Sequence, residues 1–238
     1  MKTISTVYLL LLFPAVIAFA GCDNLLGVQG NGRVKSEERS VSSFDQISVG
    51  GAFDVYLTQG DTESLRVEAD DNLLPLIETK VSNGRLVIRS RENIGEAKEL
   101  NVYITFKQLN KIEASGACEI KNEGQLNFGD LVLNGSGASE IDLTLTAAKL
   151  EGEYSGASEV DLEGSAEVCE FNLSGASELD AEGLVVQQMK IDLSGASEAE
   201  VQVMQHLKVR ASGASSVKYT GNPTIDEHTS GASSVRKK

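Results

Sequence analysis

The sequence predicts an all-β fold, a right-handed single-stranded parallel β-helix (a solenoid) with an irregular N-terminal capping section. Three observations predict it. First, Ser-Gly-Ala-Ser or a near variant recurs, centred on Gly116, Gly137, Gly156, Gly175, Gly195, Gly213 and Gly231, with gaps of 21, 19, 19, 20, 18 and 18 residues. A nearly constant period of this size marks stacked units, none of which can bury its apolar face alone. Second, apolar residues alternate on both sides of each copy: Cys169/Phe171/Leu173 and Met189/Ile191/Leu193 before it, Ile141/Leu143/Leu145 and Val201/Val203 after it. Period-two runs of branched side chains punctuated by glycine are strands. Third, the fixed Leu and Asn scaffold of a leucine-rich repeat is absent, which leaves a coil whose turns hydrogen-bond to the turns above and below. Each Ser-Gly-Ala-Ser is then a corner, where glycine permits the bend and small neighbours let rungs stack closely.

From its first residue the chain divides as follows. Residues 1–21 have a basic start at Lys2, an apolar run from Val7 to Ala20 and small residues before Cys22, the layout of a signal peptide too short for an ordinary membrane span. Gly21-Cys22 resembles the lipobox of bacterial lipoproteins, in which Cys22 becomes the lipidated mature N-terminus; the other reading is a plain cleaved signal with an unmodified cysteine. Stable anchoring of that kind takes more than one acyl chain. Residues 22–41 are polar and glycine-containing and read as a lipidated tether, although Gly30-Asn31-Gly32 also fits a tight turn that starts the domain. Residues 42–238 form the β-helical domain, with 42–110 as the capping section and 111–238 as the regular repeats. Within the cap, Gly51-Ala52 looks like an early corner, and the distance to Gly116 leaves room for about three rungs. Asp71 to Thr79 suits a short helical turn, Ser82-Asn83-Gly84 a hairpin, and Leu100, Val102, Ile104 and Phe106 another strand. A cap is needed because the end of a solenoid exposes unpaired backbone.

The ordered set Gly30-Asn31-Gly32, Phe44, Gly51-Ala52-Phe53-Asp54-Val55, Gln59-Gly60, Asp71-Asn72-Leu73 and the repeated Ser-Gly-Ala-Ser resembles the putative auto-transporter adhesin, head GIN domain family. The resemblance covers nearly all of the chain after residue 21. It implies an exported bacterial protein with a β-helical fold, and it brings no catalytic motif with it.

Net charge is −14 for the whole chain and −15 once residues 1–21, whose one charged residue is Lys2, are removed. Such a balance repels nucleic acid and anionic surfaces, so no nucleic-acid partner is expected. The residue after each corner is acidic over five copies: Glu119, Glu140, Glu159, Glu178 and Glu198, followed by Ser216 and Ser234. In register these carboxylates form a column spaced ~4.8 Å apart. At that spacing like charges repel by ~0.9 kcal/mol per pair even in a water-like dielectric. Exposed side chains that splay into solvent explain the column blandly; a hard cation such as Ca²⁺ bridging neighbouring carboxylates is the sharper reading, and the column is the candidate cation site. No other cofactor and no other metal site is expected.

Two serine columns flank each corner: Ser115, Ser136, Ser155, Ser174, Ser194, Ser212 and Ser230 before the glycine, and Ser139, Ser158, Ser177, Ser197, Ser215 and Ser233 after it. A nucleophilic serine needs a base beside it. The two histidines, His206 and His228, sit at no repeated position, so a structural role for the hydroxyls is expected and no catalytic residue is assigned. Cys118 takes the place of serine in the second column and Cys169 falls in a strand; their different positions around the coil predict free thiols and no mutual disulfide.

Three functional classes follow. The leading one is a lipid-anchored, non-enzymatic binding or adhesion module of the bacterial cell envelope, held to the outer membrane on its periplasmic or surface face, with a surface protein or glycan as ligand. The alternative is a β-helix that binds or cleaves polysaccharide, against which stand the absence of Trp and of a lyase-like cluster. The third is a structural solenoid associating end to end, which Arg236-Lys237-Lys238 opposes because charge protects an edge. Oligomeric state is left open by the sequence.

Overall fold

The structure, a computed structural model, describes residues 27–238, so the expected signal peptide and Cys22 lie outside the described residues. The alternating segments become strands: β1 (Val34–Arg39), β2 (Gln46–Gly51), β3 (Asp54–Gln59), β4 (Ser64–Asp70), β5 (Ile77–Ser82), β6 (Arg85–Ser90), β7 (Leu100–Phe106), β8 (Lys111–Gly116) and β9 (Glu119–Asn122). The longer strands of the coil follow: β10 (Leu126–Gly137), β11 (Glu140–Tyr154), β12 (Glu159–Leu173), β13 (Glu178–Leu193), β14 (Glu198–Ala211), β15 (Ser216–Thr220), β16 (Thr224–Thr229) and β17 (Ser234–Lys237). From β8 onward every pairing is parallel, and the whole is a β-solenoid of about seven turns.

The corners carry the expected register, with Gly51 paired to Gly116 and Gly116 to Gly137. At each one the N–H after the glycine donates to the glycine carbonyl of the rung below: Ala157 to Gly137 at 2.8 Å, Ala176 to Gly156 at 2.8 Å, Ala196 to Gly175 at 2.7 Å. Two constraints fix glycine there. Gly175 has φ +78°, where a Cβ is disfavoured, and a Cβ built on it would lie 2.5 Å from the Gly156 carbonyl oxygen. Any larger residue would push the rungs apart where their hydrogen bonds hold them together.

Inward side chains stack into continuous ladders. Val55, Ile120, Ile141, Val160, Leu179, Ala199 and Val217 follow one another in register and are each fully buried. Burying a branched side chain of this kind stabilises by roughly 1.5–3 kcal/mol. A neighbouring ladder alternates size: a Cβ on Gly152 would lie 2.5 Å from the Phe171 ring above it, and 2.7 Å from the Tyr154 ring. The glycine leaves the space that the two aromatic rings fill, a close-packed fit of large against small.

The N-terminal section caps the coil, by a route the sequence does not reveal. Between Gly51 and Gly116 the chain does not lay down three successive rungs, because β2 and β3 pair directly with β8 and β9. The intervening residues leave the coil, place β6 and β7 on the opposite side of β2 and β3, and cover that end with antiparallel β4 and β5. The helical turn is a single 3-10 turn at Leu74–Leu76, and the β5–β6 hairpin turns at Asn83 (φ 52°) and Gly84 (φ 76°), as Asn-Gly requires.

The tether read over residues 22–41 needs correction, since its described part belongs to the fold. Strand β1 pairs antiparallel with β4, and the Gly30 N–H donates to the Glu96 carbonyl at 2.7 Å. The turn reading of Gly30-Asn31-Gly32 is the one observed. Its anchor is Asp70, fully buried, whose carboxylate accepts from the Gly32 N–H and, at 2.7 Å, from the Lys98 N–H. A Cβ on Gly30 would fall 2.7 Å from that carboxylate.

Candidate functional site

The coil's surface is built of columns, because residues two apart on a strand share a face and residues in register share a line. The expected acidic column is present: Glu119, Glu140, Glu159, Glu178 and Glu198 are successive partners, followed by Ser216 and Ser234. Asp54 extends it by one rung toward the cap. A second column beside it was missed in the sequence: Lys121, Asp142, Asp161, Asp180, Glu200 and Lys218. The signal was the charged residue two positions after each corner Glu.

Lysines close both ends of this face. Lys121 lies 2.7 Å from Glu119, and Lys218 lies 2.7 Å from both Glu198 and Glu200. Next to Lys121, Tyr56 and Tyr103 stack with ring centroids 4.9 Å apart, and the Arg66 guanidinium sits 3.7 Å above Tyr103. In between, Glu140, Asp142, Glu159, Asp161, Glu178 and Asp180 make no ion pair among the described residues. Partial burial, then the neighbouring carboxylates Glu119 and Glu159, raises the pKa of Glu140; burial, then Asp180 and Asp142, raises that of Asp161. At the lysine end the sense reverses, and hydrogen bonds from Lys218 and Lys238 lower Glu200 to about 2. Among the described residues no group of three or more His, Cys, Asp or Glu converges on a point that could hold a metal ion. The face is a plane of charge.

The serine columns divide by role. The second column, buried from Ser139 to Ser215, closes the corners: Ser158 donates to the Ser155 carbonyl at 3.0 Å, Ser177 to Ser174 at 2.9 Å, Ser197 to Ser194 at 3.0 Å and Ser215 to Ser212 at 2.9 Å. Cys118 occupies the same position, its thiol 3.7 Å from the Ser115 carbonyl oxygen. Both Cys118 and Cys169 are buried free thiols, and burial pushes Cys169 up to about 12. In the first column Ser115, Ser174 and Ser212 donate to carbonyls of the preceding rung. These bonds hold the hydroxyls of Ser115, Ser174 and Ser212 as structure.

Alongside the first serine column runs a groove of about 930 Å³. Its wall is a third column, two residues before each corner serine: Ser48, Glu113, Asn134, Glu153, Asn172, Asp192, Arg210 and His228. His228 thus holds a repeated position after all. Sequence reading missed this column because its members share an offset and no residue type. Glu113 is paired with Lys111 at 2.7 Å and Arg85 at 3.2 Å, and Asp192 with Lys190 at 3.6 Å and Arg210 at 3.9 Å. No helix among the described residues is long and apolar enough to cross a membrane.

Comparison with known proteins places this architecture. A putative adhesin from Bacteroides fragilis superposes with a TM-score of 0.83 at 22% identity, covering 88% of this chain and 99% of that one. A putative adhesin from Parabacteroides merdae gives a TM-score of 0.73 at 20% identity over 88% and 98%. A protein described as a putative lipid binding protein from Parabacteroides distasonis gives a TM-score of 0.73 at 21% identity over 88% and 98%. At these identities the likeness is one of fold. No curated protein matches the sequence. Residues 43–223 match the family described as putative auto-transporter adhesin, head GIN domain, and the chain belongs to that family.

Proposed function

We propose that this chain is a lipid-anchored, non-enzymatic binding and adhesion module of the bacterial cell envelope, tethered through Cys22 and presenting one face of a rigid coil to an extended ligand. The observation that carries the reading is the groove, which continues without a break across eight rungs from Ser48 to His228. At the rung spacing this is ~34 Å of surface, too long for a small substrate and suited to a polymer. Concave sites with convergent polar groups are where ligands bind by default. Two of the similar folds come from proteins described as putative adhesins, which agrees with a surface that holds rather than reacts.

Two experiments test it. Cells carrying Cys22→Ser should release the protein from the membrane fraction and lose incorporation of labelled palmitate; retention of both would remove the anchor. Cells whose groove is filled by Ser155→Trp should attach to their target surface at least tenfold less than the parent, while equal attachment would remove the groove.

A further inference from the structure

We infer that the groove is a binding site for a linear, uncharged polysaccharide, lying along the coil axis with about one sugar unit per rung; this rests on the binding-module reading above and names its ligand. The argument starts from where the groove's polar groups are satisfied. At one end Glu113 is held by Lys111 and Arg85, and toward the other Asp192 is held by Lys190 and Arg210. Between them, on three consecutive rungs, Asn134, Glu153 and Asn172 make no side-chain hydrogen bond or ion pair among the described residues. Beside them the hydroxyls of Ser136 and Ser155 are also unengaged, whereas Ser115 and Ser174 are bonded to backbone. The same three residues also line a second depression of about 380 Å³, so they stand as a ridge between two hollows. An amide, a carboxylate and an amide in line, each with a hydroxyl at its side, offer donors and acceptors in repeating order.

The chemistry of the walls selects among extended polymers. The lining is mixed: Ala114, Tyr154, Leu173, Leu193 and Ala211 contribute apolar surface, but an amide, hydroxyl or charged side chain stands at every rung, and an acyl chain would cover these polar groups without pairing them. A peptide strand is recognised through its backbone by a free sheet edge, but the strands under the groove already pair on both sides. Its residue repeat of about 3.3 Å also falls out of step with rungs spaced ~4.8 Å apart. A polyanion is disfavoured by the Glu153 carboxylate in the middle of the groove, which has no ion-pair partner among the described residues, and by the strongly acidic chain. A neutral glycan has hydroxyls along its whole length and a unit length close to one rung. For a length of ~34 Å, the groove volume of about 930 Å³ leaves a cross-section suited to one such chain.

The test uses the protein from Cys22 onward without lipid and two probes, β-1,4-linked N-acetylglucosamine oligomers and cello-oligomers of increasing length, titrated by calorimetry. Affinity for at least one series should rise with length and level off at about seven units, the number of rung spacings in the groove. Asn134→Ala/Asn172→Ala should lose at least tenfold with an unchanged melting curve, Glu140→Gln on the acidic column outside the groove should lose nothing, and polygalacturonate should not bind. Absence of binding to both series, affinity independent of length, or full binding by the double variant would overturn the inference. If neither series binds yet the groove-filled variant still loses cell attachment, the glycan is wrong and the binding module stands. If attachment also persists, both fall.

Discussion

The coil and its cap are made of the same strands, yet they are held together by different means. In residues 111–238 the same interactions recur from rung to rung: the glycine carbonyl accepts the next rung's N–H, a buried serine closes the corner at Ser158, Ser177, Ser197 and Ser215, and apolar ladders run through the core. In residues 27–110 the connections occur once. Asp70 ties the first turn to the loop before β7, and Arg39 donates to the carbonyls of Ile77 and Leu74 to hold β1 against the cap. Repetition makes the coil tolerant of losing one contact, since adjoining rungs keep theirs, whereas the cap has no second copy of any contact.

The sharpest way to break this contrast is in the cap. Asp70→Ala would remove two charge-assisted hydrogen bonds, those from the Gly32 and Lys98 N–H groups, together with the buried carboxylate that receives them, and should cost about 4 kcal/mol, read as a drop in the denaturation midpoint. A loss no larger than that of an exposed substitution would show that the cap is not tied there. In the coil, Gly175→Ala meets both a positive φ and the Gly156 carbonyl, and should cost about 3 kcal/mol with the damage confined to adjoining rungs by hydrogen exchange. Uniform loss of protection along the whole coil would contradict the nearest-neighbour picture.

Smaller effects come from the acidic face. Glu140 and Asp161 have folded pKa values above their ordinary 4.5 and 3.8. Their folded state is therefore favoured while they are protonated, and that advantage is lost as pH rises through the raised values. Lowering pH from neutrality toward the raised values should raise the melting midpoint, and Glu140→Gln/Asp161→Asn should be more stable than the parent at pH 7 by about 1 kcal/mol and abolish the rise. Glu200, held at about 2 by its lysines, works in the opposite sense and loses its contribution only as pH falls below 4.5 toward that value. A parent midpoint that falls steadily from pH 7 to 5 would remove the repulsion. Calcium and sodium at matched ionic strength then separate bridging from screening. With the carboxylates arranged in lines and no convergent cluster among the described residues, coincident midpoints are expected, and a rise specific to calcium would support the bridged column Glu119, Glu140, Glu159, Glu178 and Glu198.

The smallest effect is in the core. The Tyr154 hydroxyl is buried without a partner, and burial pushes its pKa far up. Tyr154→Phe should keep or slightly raise stability, and a loss above about 1 kcal/mol would reveal a hydrogen bond that the structure does not contain.

The coil was legible in the sequence because its constraints are local and repeated. Gly175 must be glycine for the same reason as Gly156 and Gly195, so the period exposes the corner, the buried serine and the Glu column together. The cap's elements were legible singly, as with the Asn83-Gly84 turn, but their order in space was not. Nothing local in β2 and β3 says that β6 and β7 will pair on one side and β8 and β9 on the other. The groove was hidden for a third reason. Asn134, Glu153, Asn172, Asp192 and Arg210 share a position and no chemistry, and a search for likeness passes over a column whose members differ.

Gly152, beneath Phe171 and beside Tyr154, gives the stack a fixed sequence of storeys. Although the corners look interchangeable, a recombination that excised β11 alone would put Phe171 over Leu133 and set two bulky groups in collision, while one that removed β11 and β12 together would bring Leu133 under Ile191. Gene-level shortening of this protein is therefore easier in pairs than singly around that point, even though the period itself is blind to the difference.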